Sequence, residues 1–102
     1  MMLENGYEMK TTFWQDFSIA DVYGIDAVKD TYRRAFNEWK NDIEYVAELA
    51  LVLNHKSWQH AESNRPLAIV YDELWQKVED YVYGDKSKFS EEDISYFYRI
   101  TD

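Results

Sequence analysis

A chain of 102 residues with one proline, three glycines and 46% hydrophobic residues has the size of one domain and is far from a disordered composition. Cysteine is absent, which excludes disulfides, thiolate metal sites and cysteine nucleophiles. The net charge of -9 opposes direct binding of nucleic acid and adsorption to anionic membrane, because both depend on lysine and arginine.

The first eight residues read as a flexible leader, and residues 9–102 as one helical domain. Nothing near the N-terminus has the apolar core of a secretory signal. No apolar stretch approaches the ~18 residues of a membrane span. These features are compatible with a cytoplasmic setting.

Thr12 is placed to cap a short helix whose inward face is Phe13, Trp14, Phe17 and Ala20, and Gly24 is placed to stop it. A second helix is predicted over 26–40. Val28, Tyr32, Ala35, Phe36 and Trp39 step by three and four along it, the mark of one buried face. Asn41 and Glu44 resemble a capping box, so a turn is expected at 40–42 and a third helix over 42–62. Residues 49–53 are apolar nearly all round, as suits a central helix.

Ser63, Asn64, Arg65 and Pro66 punctuate the chain, with Asn64 a cap and Pro66 at home in a first turn. The fourth helix, over 66–83, should pack Leu67, Val70, Tyr71, Leu74, Val78 and Tyr81, and end at Gly84. A polar loop at 85–88 precedes Ser90, which pairs with Asp93 to open a last helix carrying Ile94, Phe97 and Tyr98. The expected fold is all-α, a compact bundle of four to five helices in a single domain.

No constellation carries chemistry. His55 and His60 are five residues apart, about 140° around a helix and so on different faces. Neither the four-residue spacing of a helical zinc pair nor a Glu-x-x-His motif occurs. There is no glycine-rich phosphate loop and no serine in a nucleophile elbow. No catalytic residue, metal site or cofactor is assigned, and the balance is against an enzyme.

The surplus is aromatic, at 18% of residues. Tyr96, Phe97 and Tyr98 are consecutive, and three adjacent helical positions cannot all face one core. Tyr7, Tyr23 and Tyr83 also fall outside every stripe. Aromatics and arginines are enriched at interfaces, so Tyr96, Tyr98, Arg99, Trp58, His60, Arg33 and Arg34 form the candidate interface. The bland reading pairs both arginines with Asp30 or Glu38 at helical separations.

The segments Thr11-Thr12-Phe13-Trp14-Gln15-Asp16-Phe17, Ile19-Ala20-Asp21, Lys29-Asp30-Thr31-Tyr32, Trp58-Gln59-His60 and Tyr96-Phe97-Tyr98-Arg99-Ile100-Thr101-Asp102 resemble a family of small acidic proteins carried on bacterial mobile elements such as conjugative transposons. The resemblance spans nearly everything from Met9 onward. It transfers no catalytic or binding residue and implies an accessory role in an element's maintenance or transfer.

Three functions follow as expectations. The first is a non-enzymatic interaction or regulatory protein, with a protein partner or a second copy bound to an aromatic-rich helical surface. The alternative is an acidic mimic of DNA that inhibits a DNA-binding protein, although residues 25–65 hold seven acids against six basic residues and dilute any continuous ridge. The third is a small-ligand binder or enzyme with an interhelical pocket.

Overall fold

The computed structural model describes residues 8–84 and 89–101. Within them the chain forms five helices: α1 (Phe13–Tyr23), α2 (Ile25–Trp39), α3 (Ile43–His60), α4 (Arg65–Gly84) and α5 (Glu91–Thr101). They close into one globule, whose radius of gyration of 13.0 Å is that of a close-packed chain of this length. The expected residues 1–7 of the leader and the loop at 85–88 lie outside the described residues. Among the described residues no helix is long and apolar enough to cross a membrane.

The central helix is α3, which packs on all four others. Its run from Val46 to Leu53 is buried at every position, as an all-round apolar sequence requires. Fully burying a Leu or Val side chain stabilises by about 1.5–3 kcal/mol, so this run anchors the fold. Around it, Phe36 packs edge-on against Tyr81 at 4.8 Å and ties α2 to α4. Trp75 and Tyr83 of α4 hold Phe97 of α5 at 6.4 and 5.6 Å.

Helix ends follow local chemistry, with two corrections. Thr12 precedes α1 as expected, but its hydroxyl donates to the Asp16 side chain at 3.1 Å and caps no amide. The Thr11 hydroxyl does that work, accepting from the Phe13 amide at 3.2 Å. At α3 the cap is Asp42, not Asn41, and its carboxylate accepts from the Glu44 amide at 3.1 Å. The caps predicted at Asn64 and Ser90 form, accepting from the amides of Leu67 and Asp93.

Gly24 is the only residue between α1 and α2. Its φ of 108° belongs to the region that favours glycine. Its amide donates to the Ala20 carbonyl and its carbonyl accepts from the Val28 amide, so one helix ends where the next begins. The chain turns sharply there and α1 packs against α2.

Candidate functional site

Helix α1 has two unlike faces, and both bear on function. Trp14, Ser18 and Asp21 step by four and three and face α3, whose Lys56 and His60 stand four apart. Asp21 is the hub. Its Oδ2 accepts from Lys56 Nζ at 3.0 Å and lies 2.9 Å from His60 Nε2. A carboxylate only accepts, so that ring nitrogen carries the proton. Its Oδ1 accepts from the Tyr71 hydroxyl of α4.

The remaining donors are also used. Lys56 Nζ donates to Ser18 Oγ at 2.7 Å and lies 4.3 Å from the centre of the Trp14 ring. Ser18 Oγ donates onward to the Trp14 carbonyl at 2.7 Å. The His60 ring lies parallel to Tyr71, 5.8 Å away. Burial first, and then the Asp21 hydrogen bond and charge, push the Tyr71 phenol far above its ordinary pKa, so it stays a donor.

The Ser18–Lys56 distance would suit a nucleophile and its base. Two features oppose that use. The Lys56 side chain is 1% exposed, which leaves no room for a reactant beside it. Its Nζ is the donor to both Ser18 and Asp21, so it is not placed to accept the serine proton. The cluster instead joins α1, α3 and α4. Among the described residues no three His, Asp or Glu side chains converge so as to hold a metal ion.

A second buried polar group fixes the start of α1. Glu48 of α3 is fully buried, and its Oε1 accepts from the amides of Lys10 and Thr11 at 3.0 and 2.8 Å and from the Thr11 hydroxyl at 2.6 Å. Its Oε2 lies 3.1 Å from the Lys10 amide. These bonds satisfy backbone donors just ahead of the first turn, where helix amides have no partner of their own. Lys10 also pairs with Glu44 at 3.2 Å, and that hydrogen bond raises its pKa.

The opposite face of α1 is apolar and open. Ile19, Val22 and Tyr23 are 62%, 82% and 79% exposed and stand at the i, i+3, i+4 positions of one helical face. Beside them, between α1 and α2, runs a groove of about 710 Å³. Ala20, Ala27 and Ala35 are among its lining residues, Tyr23 stands near the Gly24 turn, and Trp39, its ring tilted against Tyr45 at 4.2 Å, stands at the far end.

The residues singled out from sequence are spread over the molecule. Arg34 lines the α1–α2 groove, and both Arg33 and Arg34 pair with Asp30, at 3.4 and 3.3 Å. Tyr96 and Arg99, 5.7 Å apart, line a separate concavity between α3 and α5. Of the three consecutive aromatics, Phe97 is buried, Tyr96 is half-buried and Tyr98 is exposed. Tyr98 lies one position past Phe97 and so turns about 100° away from it, outward as the three adjacent aromatics require. Trp58 is exposed on α3, and His60 turns inward to Asp21.

Sequence reasoning missed Asp21, Glu48 and Lys56. A signal for two of them existed: Glu48 sits inside the all-round apolar run, and Lys56 and His60 continue the stripe of Leu49 and Leu53 at steps of three and four. No known protein family, curated protein or solved structure matches this chain.

Proposed function

We propose that this protein is a non-enzymatic interaction protein whose docking surface is the outer face of α1 with the adjoining groove. The carrying observation is the exposure of Ile19, Val22 and Tyr23, three apolar side chains grouped on one face of α1. Exposed apolar residues grouped this way mark an interaction site, whereas scattered ones do not. The polar pins at Asp21 and Glu48 support the reading, because they fix α1 before a partner arrives and reduce the ordering cost of binding. An accessory role on a mobile element rests on the family resemblance.

A photo-crosslinking amino acid at Tyr23 tests this in the native host. A single stoichiometric adduct, absent when the same group replaces exposed Lys77 on α4, is the expected result. Equal labelling from both positions would end the proposal. The mimic of DNA draws on a different feature, the acids Glu44, Glu91, Glu92 and Asp93 around the α3–α5 concavity. Capture of a DNA-handling protein that is lost with Glu91→Lys/Glu92→Lys and kept with Tyr23→Ser would favour that reading instead.

A further inference from the structure

We infer that the α1–α2 groove takes a cationic amphipathic helix from a second protein. The inference rests on the docking role proposed for this face and adds the chemistry of the occupant.

The shape comes first. The groove follows a helix of 11 residues, about 16 Å long, which matches two to three turns of an inserted helix. Alanines at positions 20, 27 and 35 keep that part of its wall low, while Ile19, Tyr23 and Trp39 offer apolar contacts along it. A helix laid in such a groove reads it with residues at i, i+3, i+4 and i+7.

Charge then selects among occupants. Five charged side chains line the groove, and its two cations are already held by carboxylates of this chain: Lys10 by Glu44 at 3.2 Å and Arg34 by Asp30 at 3.3 Å. Asp16 on α1 and Glu38 on α2 pair with no cation among the described residues. An occupant with lysine or arginine beside its apolar stripe pairs with these two exposed carboxylates. A second copy of this chain brings -9 of like charge to the same place, and nucleic acid or anionic lipid brings phosphate.

The probe is a 14-residue leucine–lysine amphipathic peptide, compared with a leucine–glutamate peptide of the same apolar face, titrated into the full chain by calorimetry. The lysine peptide is expected to bind saturably at one per chain, and the glutamate peptide not to bind. Ile19→Ser/Tyr23→Ser is expected to abolish binding. Asp16→Lys/Glu38→Lys is expected to weaken it about tenfold. Glu79→Lys/Asp80→Lys makes the same change in net charge on α4, away from the groove, and is expected to leave the affinity within about threefold.

Equal loss in the two charge-reversed proteins would reduce the binding to bulk attraction and overturn the inference, as would tight binding of the glutamate peptide. Self-association that Tyr23→Ser disrupts would hand the groove to a second copy and overturn it too. If crosslinking from Tyr23 succeeds while the lysine peptide fails, the docking face stands and the cationic helix falls. If both fail, both readings fall.

Discussion

Helices α1 and α3 both carry apolar residues around most of their circumference, yet the fold treats them oppositely. Every residue of α3 from Val46 to Leu53 is buried, while α1 covers Phe13, Phe17 and Ala20 and leaves Ile19, Val22 and Tyr23 in the open. An all-round apolar sequence therefore states a demand for cover and does not say who meets it. Four neighbouring helices meet it for α3. For α1 the chain supplies one side, and the proposed function assigns the other to a partner. Polar residues mark the boundary between the two helices, with Glu48 and Lys56 sent from α3 to hold the chain just ahead of α1 and the last turn of α1.

That contrast predicts a graded response to substitution. Lys56→Ala leaves the Asp21 carboxylate buried without its ammonium, and removing one partner of a buried pair costs about 3–5 kcal/mol. Urea denaturation should show it as a fall in the midpoint of the whole transition, because α1, α3 and α4 meet there. A change confined to near-neutral values would mean the cluster is not desolvated. Leu49→Ala, a cavity in the fully covered helix, should cost about 2–5 kcal/mol by the same measurement.

Glu48→Ala should cost less, about 1–3 kcal/mol, since it strands the amides of Lys10 and Thr11 at the edge of the core. Hydrogen exchange should report the loss first at the start of α1. Uniform loss across all five helices would show that the pin belongs to the core and is not local.

Alkali probes the tyrosines that face inward. Burial pushes Tyr32 up to about 12, and Tyr71 is raised further still. A folded pKa above the unfolded value of ~10 means the unfolded chain ionises first, so this stabilisation is whole below pH ~10 and is lost as the pH climbs past it. Tyr71→Phe should flatten the alkaline fall in the urea midpoint.

The smallest effect on stability belongs to the outer face. Val22→Ser or Tyr23→Ser should shift it by no more than about 0.5 kcal/mol, as surface substitutions do, while removing partner capture. A large destabilisation instead would show that this face is already covered within the chain.

Much of the fold was legible locally. The steps of Val28, Tyr32 and Ala35, the caps at Asn64 and Ser90 and the stop at Gly24 each report a contact within one turn of helix, so neighbouring residues encode them. The expectation of exposed aromatic surface rested on the same geometry: Tyr23 and Tyr98 are exposed, whereas Tyr83 tucks edge-on against Phe97. The position of the apolar surface was less legible. Candidates drawn from α2, α3 and α5 left out Ile19 and Val22, because an apolar residue on an apolar helix looks the same whether it faces the core or water.

The sequence by itself determined a bundle of four to five helices, their turns and an apolar central helix, since period and capping act over three or four residues. Only the tertiary structure decided which side of α1 is covered and brought Asp21 to Lys56, His60 and Tyr71. Those partners lie 35 to 50 residues away along the chain. Helical period places a residue on a face, but packing against α3 and α4 chooses the face that turns inward, and burial then requires that its charges meet.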